Sequence, residues 1–166
     1  MSLDDIVTVI KYQNYPRIAI CPEVPVMIPG ITAADALDAN DCMGLIVVLK
    51  VPKSGIIQSA LLVDPDDEGL QIDLEIFKAP IAQVANDAAF APTDDESFNF
   101  VTEINFDTYN DHGVFQTAEV KNIGTAYNAP NGKFFIQAVT RGAHNIAAGA
   151  SPRYQLQILS TDPDWK

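Results

Sequence analysis

Cysteine, histidine and tryptophan are scarce in this chain of 166 residues, which has two cysteines, two histidines and one tryptophan. Cys21 and Cys42 are too few for the disulfide framework of a small secreted domain or for a cysteine-rich metal site. We therefore expect two buried thiols. His112 and His144 have no cysteine, serine or second histidine at motif spacing, so they predict neither a zinc site nor a catalytic triad. We expect both histidines to lie in solvated loops.

Basic residues are also few, 10 against 22 acidic residues, for a net charge of −12. Binding of nucleic acid requires a surface of lysine and arginine, and so does binding to an anionic membrane. We predict neither partner. The chain starts without the basic segment of a signal peptide, and none of its apolar runs reaches transmembrane length. We expect it to be made and folded in a cytoplasm.

Motifs for catalysis or cofactor binding are missing, and the nine glycines are scattered rather than grouped into a phosphate-binding loop. One acidic segment, Asp64, Asp66, Glu68, Gly69 and Glu75, comes close to the spacing of a calcium loop. Pro65 interrupts it, and the residues that follow have the pattern of a strand. We interpret residues 64–68 as an acidic turn, with cation binding as the alternative. The sequence predicts no cofactor and no enzymatic activity.

Strand patterns, in contrast, run along the whole chain. Leu70, Ile72, Leu74 and Ile76 alternate with polar residues, a period of two that places the aliphatic side chains on one face of a strand. With the preceding run at 56–63 and the turn between them, the pattern predicts a β-hairpin. A second hairpin turn is predicted at 128–132, because Asn-Gly tolerates positive φ. Further strands are predicted at residues 5–12, 43–51, 98–106, 114–120, 122–127, 133–140 and 154–158.

About eight strands and no long helix indicate an all-β protein, a β-sandwich or jelly-roll-like single domain. We divide the chain into an N-terminal strand and extended proline-rich arm, residues 1–31, and the sandwich domain, residues 32–166.

The arm between residues 15 and 30 contains four prolines in an apolar run, so it cannot be a helix or a central strand. It is either an edge strand on its own domain or an arm laid on a neighbouring subunit. The candidate partner-binding residues are its large apolar side chains, Ile18, Ile20, Val24, Val26, Met27 and Ile28.

The segment 64–91 resembles a family of structural proteins of tailed-bacteriophage virions. It combines the acidic turn, the strand Leu-Gln-Ile-Asp-Leu-Glu-Ile-Phe and the later Asn-Asp-Ala-Ala-Phe, which an acidic turn follows. Thr140-Arg141-Gly142 and a final strand near 154–159 extend the resemblance, which covers residues 35–159 in outline. It implies a virion β-sandwich that cements or decorates a capsid.

The resemblance therefore implies a non-enzymatic structural protein located in the virion. Its partners would be the major capsid protein and neighbouring copies of itself, in a dimer or trimer. Two alternatives are a phage tail or baseplate component and a free glycan-binding β-sandwich. A hydrolase that uses two of the many carboxylates is a further alternative, and it would require two acids with separated pKa values in one cleft.

Overall fold

A computed structural model describes residues 17–31 and 36–165, and the strand predicted at residues 5–12 lies outside them. The described chain forms nine strands and one short helix. They are β1 (Arg17–Met27), β2 (Cys42–Lys50), β3 (Ser54–Asp64), β4 (Ile72–Phe77), α1 (Asp94–Ser97), β5 (Phe100–Phe106), β6 (Tyr109–Asp111), β7 (Gln116–Asn128), β8 (Lys133–Thr140) and β9 (Arg153–Ser160).

The strands build two antiparallel sheets, one of five strands in the order β1-β9-β3-β7-β6 and one of four in the order β2-β8-β4-β5. From β1 to β4 the chain changes sheet at every step. This wrapping of paired strands around two packed sheets is the topology of a jelly roll, which confirms the all-β sandwich. The core between the sheets includes Ile57, Leu74, Phe134 and Tyr154, all with no exposed area.

Both predicted hairpins are wrong, although the strands on either side of each turn are confirmed. β3 pairs with β7 and β9, whereas β4 pairs with β5 and β8. The acidic turn thus carries the chain from one sheet to the other, and the turn at 128–132 does the same between β7 and β8. Proline, asparagine and glycine indicate where a chain reverses, but they do not specify which sheet receives the next strand.

The proline-rich segment is an edge strand of its own domain, one of the two alternatives left open by the sequence. β1 pairs with β9 through residues 17–21 and again through Val26 and Met27, with a register shift between the two stretches. Pro22 and Pro25 lie between the two paired stretches, where no hydrogen bond to β9 requires a backbone amide from them. Within the described residues, β1 has its second edge unpaired.

The two strands predicted at 114–120 and 122–127 are one continuous strand, β7, which a bulge interrupts. Asn122 and Gly124 have positive φ, 57° and 73°, and the pairing with β3 shifts between Ile57 and Ser59. Between these pairs β7 has two more residues than β3, and such an insertion bends a strand without ending it. Gly124, inside the strand predicted at 122–127, is therefore a bulge position.

A long connection, residues 78–99, runs from β4 back over the outer face of the four-stranded sheet to β5; we call it the strap. Its side chains attach to β2, because Gln83 accepts a hydrogen bond from the Ile46 amide at 3.0 Å and Asn86 accepts one from the Gly44 amide at 2.8 Å. The strap contains α1, which begins after Thr93 with a capping box to Glu96. Three acidic residues in its first turn, Asp94, Asp95 and Glu96, favour a helix start at this position.

Candidate functional site

No described segment covers the outer face of the five-stranded sheet, and about half of its side chains are apolar. We call it the open face, defined by four cross-strand rows. The rows are Ile18–Leu159–Ile56–Ala126, Ile20–Gln157–Ser59–Lys121, Gln155–Leu61–Glu119 and Met27–Arg153–Val63–Thr117. The side chains on the other face of the same strands fill the core, and Ala19, Ile158 and Ile57 form one of the rows there.

The open face carries few charges for so acidic a protein. Its four rows contain one carboxylate, Glu119, and two cations, Lys121 and Arg153. Glu119 and Lys121 form an ion pair of 3.0 Å. Because the whole chain has a net charge of −12, most of its negative charge lies elsewhere. Depletion of charge at the centre of a surface is typical of protein–protein interfaces.

Three of the six predicted partner-binding residues lie on this surface. Ile18, Ile20 and Met27 belong to the open face and are 67%, 45% and 45% exposed, while Val24 is 71% exposed at the register shift of β1. The other two point inward. Val26 packs against the core and Ile28 is buried, with its amide donating to the Pro152 carbonyl at 3.0 Å. Ile28 is therefore part of the core of this domain, and its side chain is not accessible to a partner.

Beside β1, the open face continues into a shallow cavity of about 510 Å³ at the edge where the two sheets meet. Ile18 and Ile20 line it together with Leu49, Lys50 and Trp165. The Lys50 ammonium lies 5.4 Å from the centre of the Trp165 ring, a cation–π contact that fixes the indole against β2. The apolar surface thus extends around the sheet edge rather than ending at β1.

Sequence reasoning missed the contributions of β3 and β9 to this face. Ile56, Leu61, Val63 and Leu159 are half-buried on the outer side of the sheet. A signal for the three β3 residues was present, because the run at 56–63 has apolar residues on both sides, whereas a strand with one solvated face alternates. The hairpin prediction requires only one buried face in this run and leaves its second apolar side unexplained.

The opposite sheet holds a charge cluster under the strap. The Arg141 guanidinium contacts three carboxylates, with Nε on Asp73, Nη2 on Glu103 at 2.8 Å and Nη2 on Glu75 at 3.4 Å. Nη1 donates to Asn40 at 2.7 Å. Asp73 and Glu75 are the outward residues of the predicted alternation in β4, and Glu75 faces Glu103 directly across the sheet. A lone basic residue in the Thr140-Arg141-Gly142 stretch could not by itself predict these contacts.

The carboxylates of this cluster differ in their protonation. Burial and the nearby Glu103 raise the pKa of Glu75 to about 7, against the attraction of Arg141. Burial also opposes ionisation of Asp73, but hydrogen bonds from Gln71, Arg141 and Asn105 outweigh it and hold its pKa below the usual value. Separated pKa values in paired acids are a feature of some hydrolases. Here, however, the guanidinium occupies the space between the carboxylates.

The carboxylates of the acidic turn accept hydrogen bonds from backbone amides. Asp64 is buried and accepts from the amides of Asp66, Glu68 and Gly69 at 3.1–3.2 Å. Asp66 and Glu68 reach the loop before β9 and accept from its amides, Ala147 at 2.7 Å and Asn145 at 2.9 Å. No group of three or more metal-ligating side chains is found among residues 17–31 and 36–165.

The cysteines are buried free thiols as predicted, and burial raises the pKa of each to about 11, which keeps them protonated. His112 is exposed, as expected. The same expectation for His144 is wrong, since its ring is buried with Nδ1 against the Thr140 hydroxyl. The loop of residues 141–152 folds over the end of the sandwich, which sequence composition did not indicate.

The fold and the open face define a class of protein. It is a jelly roll in which the strap crosses one sheet, and the other sheet has an open, charge-poor outer face. No helix in the described part of the chain is both long and apolar enough to span a membrane. No family model matches the chain, and it has no significant match among curated proteins or solved structures.

Proposed function

We propose that this chain is a non-enzymatic structural protein of a bacteriophage virion that cements or decorates the capsid by binding the major capsid protein. The resemblance of residues 64–91 to tailed-phage structural proteins supports the phage assignment. The jelly roll is a fold that capsid proteins use among other classes. Fold alone does not define function, so the proposal depends on a surface suited to docking.

The observation that carries the proposal is the open face. Soluble monomers rarely leave a large contiguous apolar patch in water, and such patches mark interaction sites. Exposed Ile18, Ile20 and Met27 lie on this face beside the half-buried aliphatic residues of β3 and β9. The ion pair Glu119–Lys121 lies on β7, and the four rows contain only one other charge, Arg153. An acidic protein can therefore approach a partner here without strong like-charge repulsion.

A shell-stabilising protein needs buried contact area rather than a reactive group. Each copy contributes one interface, and simultaneous attachment of linked copies raises the apparent affinity without any new contact. Neighbouring copies of the chain are the second partner in this proposal, as a dimer or trimer with closed symmetry. The part of the open face that does not contact the capsid is available for those contacts.

Point substitutions test the docking surface better than deletion, because β1 is paired along β9 and its removal would expose the core. The test variant is Ile18→Asp with Ile20→Asp, both outward on the open face. The control is Val114→Asp, 78% exposed in the loop before β7. Each purified protein is added to capsids that lack it, and bound copies are counted after sedimentation.

We predict that the double variant loses at least tenfold in capsid affinity, since two buried carboxylates without partners oppose association. The control variant is expected to bind like the unmodified chain. Thermal unfolding verifies that all three proteins remain folded. A folded double variant that decorates capsids normally would remove the open face from the mechanism.

A further inference from the structure

A second cavity, of about 320 Å³, lies on the opposite side of the molecule, between the strap and the outer face of the four-stranded sheet. Its walls are aromatic and its base is charged. Phe77 contacts Phe90 and Phe100 edge to face, with ring centres 6.2 Å and 5.6 Å apart. The lining is completed by Asn40, Glu75, Pro92, Ser97 and Arg141.

The charge at the base of the cavity is unbalanced. One guanidinium, Arg141, faces three carboxylates, and its contacts to Asp73, Glu103 and Asn40 are closer than its 3.4 Å contact to Glu75. Glu75 is the carboxylate that lines the cavity, and its side chain is only 14% exposed. The Glu75 carboxylate is therefore partly shielded from water, and its ion pair with Arg141 is the longest of the three.

These features select a ligand of one kind. Aromatic ring faces attract cations, and a buried carboxylate is stabilised by a paired and hydrogen-bonded cation. An anion would lie against Glu75, and the one cation in the lining, Arg141, is already bound to two further carboxylates, Asp73 and Glu103. A neutral apolar group would dehydrate Glu75 further without any compensating hydrogen bond. The volume is at the lower end of the range for ligand pockets, about 300–1,000 Å³, so one side-chain-sized group fits.

We propose that this cavity binds an organic cation on an apolar stem, an alkylammonium or alkylguanidinium group, with Phe77, Phe90 and Phe100 around the stem and Glu75 paired with the charge. Such a group comes either from the lysine or arginine side chain of a partner protein or from a free amine. The site is independent of the proposed capsid attachment, because it lies on the other sheet.

Nuclear magnetic resonance titration at pH 8, in low salt, tests the site with defined probes. The probes are lysine and arginine with blocked termini, and butylammonium as a free amine. Norleucine with blocked termini is the neutral control, because it keeps the stem of lysine and lacks the charge. We expect the cationic probes to shift the backbone amide signals of Phe90, Ser97 and Phe100, and norleucine to leave them unchanged.

Two variants locate the binding to the cavity. Glu75→Gln keeps the shape of the side chain and removes its charge, and we expect it to weaken binding of blocked lysine about tenfold or more, the loss of one charge-assisted hydrogen bond. Phe100→Ala removes one aromatic wall at a position that is already partly exposed, and we also expect weaker binding. Glu119→Gln, on the open face, is the matched control and should bind normally.

Stronger binding of blocked lysine or arginine than of butylammonium would identify a protein side chain as the source, and the reverse would identify a free amine. Either result supports the cavity as a cation site. Equal shifts with norleucine, no shifts with any cation, or unchanged binding by a folded Glu75→Gln protein would each overturn it. Capsid binding by the open-face variants is read separately, so failure of one proposal leaves the other standing.

Discussion

At the scale of single residues, Glu75 has an environment unlike that of an ordinary surface carboxylate, since its side chain is only 14% exposed. It faces Glu103 across the β4–β5 pair and shares Arg141 with it and with Asp73. Burial and the charge of Glu103 raise its pKa to about 7, whereas the usual value in an unfolded chain is about 4.3. Between these two values the folded protein holds a proton that the unfolded chain has released.

This difference has a defined sign. Where the folded state binds more protons, the free energy of unfolding falls as pH rises. We predict that, relative to Glu75→Gln, the unmodified protein loses about 2 kcal/mol of unfolding free energy between pH 5 and pH 8. Urea unfolding of both proteins at the two pH values measures it.

The comparison with the variant is needed because His144 acts in the opposite direction. Burial lowers the pKa of His144 below its usual value, so its contribution to stability increases as pH rises toward 6.5. The effect is present in both proteins and cancels in the difference. Unfolding free energies that change with pH in parallel for the two proteins would contradict the environment assigned to Glu75.

Asp64 is the residue that shapes the acidic turn. Its carboxylate accepts from three backbone amides and is buried. In Asp64→Asn an amide group faces the Glu68 and Gly69 donors, so we predict a loss of about 2 kcal/mol in unfolding free energy. Chemical denaturation measures it, with the exposed Asp107→Asn as control. A loss no larger than that of the control would show that these hydrogen bonds contribute little.

At the scale of elements, strand positions could be predicted from the sequence and strand pairing could not. The alternation of Ile72, Leu74 and Ile76 with polar residues is a local property, and it places β4 correctly. Sheet membership depends on contacts between distant parts of the chain, such as Ile56 with Leu159. A turn of similar composition can close a hairpin or cross between sheets. Both turns that were predicted to close hairpins cross between the sheets.

The candidate site divides in the same way. The proline-rich, apolar segment predicted β1 as a candidate binding surface, because prolines exclude it from the sheet centre and exposed apolar side chains favour contact with a partner. The run at 56–63, apolar on both sides, indicated a second contact face for β3. Its neighbours on that face could not be predicted, since Ile56 and Leu159 become neighbours only when β9 inserts between β1 and β3. The Arg141 cluster likewise requires β4, β5 and the end of β8 to be adjacent.

The strap is held on its sheet by specific side chains, and this makes a prediction at the element scale. Asn86→Ala removes the acceptor of the Gly44 amide, whose bond measures 2.8 Å. We expect a loss of about 1 kcal/mol in unfolding free energy and faster amide hydrogen exchange in residues 43–46 and in the strap. Mass spectrometry of exchange measures both segments.

Asn110→Ala, on the exposed strand β6, is the control for this substitution and should leave exchange in the strap unchanged. If Asn86→Ala likewise left exchange near Gly44 at its original rate, the strap would be held by other contacts. The cavity between strap and sheet would then not depend on this attachment.

At the scale of the whole molecule, charge is distributed unevenly over a single sandwich. The five-stranded sheet presents a charge-poor face with one ion pair, which lies on β7. The four-stranded sheet places three carboxylates around Arg141. Two different surfaces on opposite sheets allow one molecule to meet two kinds of partner. Net negative charge elsewhere limits non-specific association.

The open face also leads to a prediction about the free protein. Two or three copies that bury it against one another cover the exposed Ile18 and Ile20, so we expect a dimer or trimer at micromolar concentration. Sedimentation equilibrium measures the mass, and Ile18→Asp with Ile20→Asp should shift it toward the monomer. A strictly monomeric unmodified chain would contradict this part of the proposal.

The most direct test of the virion assignment is the sedimentation of the chain in its native source material. We predict that it travels with particles of many megadaltons and is present in hundreds of copies per particle, as expected for a shell protein. Association with particles in tens of copies or fewer would instead indicate a tail component. Sedimentation as a free species of one to a few chains would contradict the proposal that this is a virion structural protein.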